Sequence, residues 1–187
     1  MNDLHIELIG AIIGLTYITL EYRASWWLWI AGMVMSLFYI YIFALANCYA
    51  WAITYLYYLG ANVYGVLVWK KNSGGKSYSG ISNLPKKYVA RLSGLTLLLT
   101  FLILIIVSRY TDTNIPVSES FSTALSVVGM WLLAKKYLQH WVVWMNVNAI
   151  YVIANLYIGL YFSAVLFTVY FVVSVMGFIR WRKLAGE

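Results

Sequence analysis

Charge is what this chain has least of. Asp, Glu, Lys and Arg together make up 10% of its 187 residues, hydrophobic residues make up 63%, and mean hydropathy is +0.78. A soluble domain carries about a quarter charged residues, so this composition indicates an integral membrane protein. A single cysteine, Cys48, excludes an intrachain disulfide and a cysteine-based metal cluster, and reads as a small packing residue. The two histidines, His5 and His140, are far apart in sequence and fall at opposite faces, so they form no metal pair. No Ser, His and acid arrangement points to hydrolysis, and no nucleophile looks activated. The chain therefore does not read as an enzyme, and no cofactor is expected. Gly74-Gly75-Lys76-Ser77 has the look of a phosphate-binding loop, but position 70 is Lys70 instead of glycine and no strand precedes it.

What is abundant is long apolar sequence. About 20 apolar residues span a bilayer as helix, and seven such runs lie near 6–22, 25–46, 49–69, 89–108, 119–136, 140–158 and 161–181. They leave no soluble domain, and the first lacks the basic start and small-residue cleavage site of a signal peptide. None has an ionisable residue in its central portion, whereas ion-coupled pumps usually need one as relay or counter-ion. A retinal-type lysine in the last run is absent too. Basic residues stay on the cytoplasmic side. With seven spans, 12 of the 13 fall on one side, only Arg109 on the other. The expected topology has the N-terminus outside and the C-terminus inside. The net charge of +7 is then explained by topology and anionic membrane lipid, and nucleic acid is not implied.

The most informative stretch is Trp141 to Asn155, WVVWMNVNAIYVIAN. Trp141, Trp144, Asn148, Tyr151 and Asn155 are spaced three, four, three and four apart, so a helix stacks them on one face. The third run repeats the pattern with Trp51, Tyr55, Tyr58, Asn62, Gly65 and Trp69. A side-chain amide in hydrocarbon is costly without a partner, so such stripes point into a wet interior or another helix. Aromatic rings there can stack on a flat solute and attract a cation by about 0.5 to 2 kcal/mol. The plainer reading makes Trp26, Trp27, Trp69, Trp141 and Trp181 interfacial anchors and the amides assembly bonds.

The two ends of the chain also resemble each other. A shift of 115 superposes Gly14 on Gly129, Tyr22 on Tyr137, Trp26 on Trp141 and Trp29 on Trp144. After a three-residue gap, a shift of 112 superposes Tyr49 on Tyr161, Tyr58 on Tyr170, Gly65 on Gly177 and Trp69 on Trp181. The expected plan is a three-helix repeat over 5–70, a basic cytoplasmic loop, linker helix and external loop over 71–118, and a second three-helix repeat over 119–183, all within one transmembrane domain. The fold class is all-α, a 3+1+3 arrangement of parallel repeats in which solute binds near mid-membrane at the repeat interface. The stripes with Tyr55, Tyr58 and Asn62 and with Phe167, Tyr170 and Ser174 would form facing walls, as would Trp29 with Trp144.

The runs ELIGAIIGLTYITLEYRASWWLWIAG, YYLGANVYGVLVW, AKKYLQHWVVWMNVNAIYVIANLYIGLY and GFIRW resemble the Pnu-type bacterial vitamin transporters over nearly the whole chain except the basic loop and fourth run. That resemblance implies a SWEET-like fold and a homotrimer in the bacterial inner membrane. It also implies facilitated diffusion of a vitamin, made one-way by a cytoplasmic vitamin kinase. Riboside carriers of the family tend to have asparagine in the second helix, where this chain has Gly32 or Met33, and near the end of the last, where it has Met176. LEYRAS with LWIAG is similar to the thiamine branch. The expected solute is thiamine, with nicotinamide riboside as the alternative, and a non-transporting receptor or scaffold as the reading of another class. Trp144, Tyr151, Tyr58 and Tyr170 would clamp its cationic ring and Asn148 and Asn62 would bond its heteroatoms. Tyr55, Asn155, Trp29 and Trp141 would complete the lining.

Overall fold

The computed structural model describes residues 3–45, 49–72, 80–111 and 113–186, with side chains for 9–10, 12–45, 54–70, 80–111 and 113–186. Cys48 and the Gly74–Ser77 segment lie outside them, as do the side chains of His5 and Trp51. Among the described residues the chain forms seven helices: α1 Asp3–Tyr22, α2 Trp27–Leu45, α3 Tyr49–Asn72, α4 Lys86–Tyr110, α5 Pro116–Ala134, α6 His140–Tyr157 and α7 Tyr161–Leu184. Four of them, α2, α4, α5 and α7, are both long and apolar enough to cross a membrane. The helices α3 and α6, of 24 and 18 residues, are long enough but carry the polar stripes, which lower their hydropathy.

Local chemistry sets the boundaries. Pro85, with φ of −61°, precedes α4, and its fixed ring suits a helix entry. The helix then takes Lys86 and Lys87 into its first turn, three residues before the expected start. Pro116 occupies the first helical position of α5, where its missing N–H costs no bond, and Glu119 lies in the same positive first turn.

The chain divides into two compact units, 1–80 and 81–187. In the first, α2 packs against both α1 and α3; in the second, α4 packs on α5, α5 on α6 and α6 on α7. Helix α4 exposes Leu97, Leu98, Phe101, Leu102, Ile105 and Ile106, an apolar face suited to lipid. The start of the second unit is tied to the α5–α6 turn. Ser82 N–H donates to the Lys136 carbonyl at 3.1 Å and the Ser82 carbonyl accepts from Leu138 N–H at 2.9 Å. Leu84 N–H donates to Gln139 Oε1 at 2.7 Å.

Taken separately, the two units contain the same construction at a constant offset of 112 residues. The α1–α2 turn closes with Ala24 N–H donating to the Glu21 carbonyl at 2.9 Å and Ser25 N–H to the Leu20 carbonyl at 3.0 Å. The α5–α6 turn repeats this with Lys136 N–H to the Leu133 carbonyl and Tyr137 N–H to the Leu132 carbonyl, both at 2.9 Å. Ala24 and Lys136 share a left-handed φ of +49° and +55°, the helix-ending conformation that favours glycine. Beyond each turn an indole lies over a glycine and edge-on to a second indole. Trp29 meets Trp69 at 5.5 Å and 83°, and Trp141 meets Trp181 at 5.9 Å and 85°. A Cβ on Gly65 would stand 2.3 Å from the Trp29 ring, and one on Gly177 2.5 Å from Trp141.

This geometry corrects the alignment of the ends. Trp29 corresponds to Trp141, not to Trp144, and Ser36, not Met33, corresponds to Asn148. The expected shift of 115 is displaced by nearly one helical turn, which brings tryptophan onto tryptophan by chance of an i, i+3 spacing. No gap is needed.

Two predictions follow from this packing. Gly65→Ala or Gly177→Ala forces an indole out of contact and should lower stability by about 1–3 kcal/mol in denaturant or thermal unfolding; an unchanged midpoint contradicts the lock. Burial pushes the Lys136 ammonium down to about 8 from 10.5. The unfolded chain then binds more protons between those values, so stability should rise with pH from about 8 to 10.5. Lys136→Gly should flatten that slope while retaining the turn.

Candidate functional site

Each tryptophan lock leaves a polar and aromatic wall further along the same helix pair. In the first unit, Asn62 of α3 donates through Nδ2 to the Tyr58 carbonyl at 2.7 Å and to Ser36 Oγ of α2 at 3.5 Å. Ser36 Oγ in turn donates to the Gly32 carbonyl at 2.8 Å. In the second unit, Asn148 of α6 donates through Nδ2 to Ser174 Oγ of α7 at 3.2 Å, and Ser174 Oγ donates to the Tyr170 carbonyl at 2.8 Å. The offset maps Ser36 onto Asn148 and Asn62 onto Ser174. The same interhelical bond is therefore made in both units with donor and acceptor exchanged between helices.

The exchange changes what each amide can do. A Cβ on Gly32 would stand 2.1 Å from Asn62 Oδ1, so the Asn62 carboxamide fills the place of a side chain at position 32. It is buried there, and Oδ1 is shielded without a donor. The residue equivalent to Gly32 is Trp144, whose ring edge lies beside Gly129 of α5. A glycine opposite asparagine in one unit thus becomes a tryptophan opposite serine in the other. Asn62 is committed to its own helix pair. Among the described residues Asn148 makes only the bond to Ser174, which uses one amide hydrogen and leaves the oxygen.

Aromatic rings flank both amides. Tyr55 stacks on Tyr39 at 4.8 Å and on Phe43 at 5.7 Å, and meets Tyr58 edge-on at 5.8 Å. Tyr151 stacks on Phe167 at 4.7 Å, and Phe167 meets Tyr170 edge-on at 6.2 Å. The position equivalent to Phe43 is Asn155, whose Nδ2 donates to the Tyr151 carbonyl at 2.7 Å. A three-ring stack in the first unit is therefore a two-ring stack with a neighbouring amide in the second.

Asn148, Tyr151 and Asn155 share one face of α6 as the spacing predicts, with Trp144 one turn away and half-buried, whereas Tyr170, expected to face the α3 stripe, joins this wall from α7. Asn62, Tyr58 and Tyr55 form the first wall. Trp29 and Trp141 have different surroundings from those expected: both are fully buried under their glycines with indole Nε1 unpaired among the described residues, so they pack their own helix pairs. Gly32, Tyr39 and Phe43 complete the walls without having been singled out as lining. The signal that could have found Tyr39 was its match with Tyr151 at the constant offset.

The Asn148–Ser174 bond predicts a coupled pair. In a cycle of Asn148→Ala and Ser174→Ala, stability losses should fall short of additivity by about 1 kcal/mol, the scale of interhelical bonds in membranes; strict additivity would mean that the bond does not form.

Comparison with known proteins agrees with this architecture. A crystal structure of the vitamin B3 transporter PnuC is similar in fold, with a TM-score of 0.76, 17% sequence identity, and coverage of 98% of this chain and 83% of that one. Residues 4–183 match the family described as nicotinamide mononucleotide transporter. A match over nearly the whole length, on a chain of membrane-spanning helices with a duplicated polar wall, makes this protein a member of the nicotinamide mononucleotide transporter family.

Proposed function

We propose that this protein is a multi-pass inner-membrane carrier for nicotinamide riboside, and that the solute is held by the wall of the second unit. The observation that carries the proposal is the family match over residues 4–183. It favours a vitamin B3 compound, and with it the nicotinamide riboside alternative over the expected thiamine. One of the sequence features that pointed to thiamine, a missing second-helix amide at Gly32, loses its force, because the Asn62 carboxamide from α3 occupies that volume.

The wall also bears on the choice between nucleoside and nucleotide. A mononucleotide carries a phosphate, and burying that charge without a cation is costly. The residues of the second wall are amides, a serine, phenols, a phenyl and an indole, with no Lys or Arg among them. Such a lining suits an uncharged ribose and a delocalised pyridinium cation. In this reading Asn148 Oδ1 and the Asn155 amide bond ribose hydroxyls or the carboxamide, while Tyr151, Tyr170 and Trp144 offer ring faces to the pyridinium. With no ionisable group in mid-span, transport runs down the gradient, and a cytoplasmic kinase traps the product. The N-terminus is placed outside by the distribution of basic residues, and a homotrimer is the assembly the family resemblance implies.

The test is a binding titration of the purified protein with nicotinamide riboside, its mononucleotide and thiamine. The riboside should bind at least tenfold more tightly than either, a difference of about 1.4 kcal/mol, and Asn148→Ala should remove that preference while the fold persists. Tighter binding of thiamine or of the mononucleotide would refute the assignment. In liposomes, riboside uptake should continue without a proton or sodium gradient; uptake that collapses without one would refute uniport.

A further inference from the structure

The first unit has an open groove between α1 and α2. It encloses about 410 Å³ and is lined by Ile12, Ile13, Thr16 and Leu20 from α1 and by Trp27, Ile30, Ala31 and Val34 from α2. The only side-chain hydroxyl in it, on Thr16, donates to the Ile12 carbonyl at 2.8 Å, and apart from the Trp27 indole N–H the lining side chains are apolar. At the offset of 112 residues, Ile12, Thr16 and Leu20 correspond to Ala124, Val128 and Leu132, all buried, on a helix along which α4 packs. Positions that are buried in the second unit thus line an open groove in the first.

We propose that this groove holds one acyl chain of an anionic phospholipid, with its phosphate at Arg23. The dimensions fit. From Leu20 to Ile12 the groove runs about 12 Å at 1.5 Å per residue, close to one leaflet of a hydrocarbon core about 30 Å thick. The end closed by Leu20 and Trp27 is the interfacial end. There Trp26 and Trp27 lie 4.4 Å apart with planes tilted by 32°, both indoles are exposed, and such rings sit at headgroup level. Arg23, in the turn between Leu20 and Trp27, is exposed and makes no ion pair among the described residues. Its guanidinium can take a phosphate in a two-bond fork.

The proposal is tested on the full chain reconstituted in bilayers of equal parts phosphatidylcholine and phosphatidylglycerol, then released into a mass spectrometer under native conditions. Wild-type protein should retain phosphatidylglycerol in at least tenfold excess over phosphatidylcholine. Ala31→Phe, which fills the groove, should lose the lipid. Arg23→Gln changes only an exposed side chain, and should keep a lipid but lose the headgroup preference. Retention of no lipid, equal retention of both headgroups, or unchanged retention in Arg23→Gln would overturn it. A Val34→Cys, Cys48→Ala variant that oxidises to a covalent pair in the membrane would also overturn it, by placing a second copy of the chain in the groove.

Discussion

An amide placed in hydrocarbon must find a partner, and the helix pairs of this protein are built around meeting that demand. Each pair buries one asparagine against one serine, and each serine in turn donates to the backbone of its own helix. The hydroxyl relays the amide's hydrogen bond into a carbonyl one turn back. Lipid tails are as apolar as leucine, so helices here are held by close packing and such bonds and not by expulsion of water. The Trp–Gly contacts supply the packing. A glycine on one helix accepts an indole from the next, and the two axes approach closely because no Cβ intervenes.

Duplication with an exchanged pair turns assembly into function. Had both units kept asparagine on the same helix, the two amides would have equivalent surroundings. Instead Asn62 folds into the vacancy at Gly32 and is consumed by structure, while Asn148 shares its bond with a smaller serine and keeps an oxygen. The same divergence replaces Phe43 with Asn155, opening a ring stack into a mixed amide and ring surface. In the proposed reading one wall serves as scaffold and the other keeps the groups that recognise solute. An asymmetric solute needs that inequality, and it comes from a handful of substitutions on one framework.

Much of this was legible in the residues. Seven apolar runs correspond to the seven helices among the described residues, with ends differing by up to three residues. The i, i+3, i+4 spacing put Asn148, Tyr151 and Asn155 on one face, and the tryptophan and glycine matches at a shift of 112 recur as matched contacts in the two units. What failed was register. Trp26, Trp27 and Trp29 offer several tryptophans within one turn, so matching identities could not fix which one opposes Trp141. Only the shared left-handed turn at Ala24 and Lys136 and the contacts with Gly65 and Gly177 decide it. Burial was equally hidden. Nothing in the spacing separates Trp29 and Trp141, sealed under glycines, from rings on a wall. The meaning of Gly32 required coordinates, since a glycine in sequence looks like a loss and in space is filled from α3.

The central claim is that one amide of the duplicated pair is spent on the fold and the other is kept for solute. A structure of the protein determined with nicotinamide riboside bound tests it most directly. It should show the ligand within hydrogen-bonding distance of the Asn148 carboxamide, with the Asn62 to Ser36 pairing unaltered. A ligand bonded to Asn62 in its place, or lying away from both with the Asn148 to Ser174 bond unchanged, would contradict it.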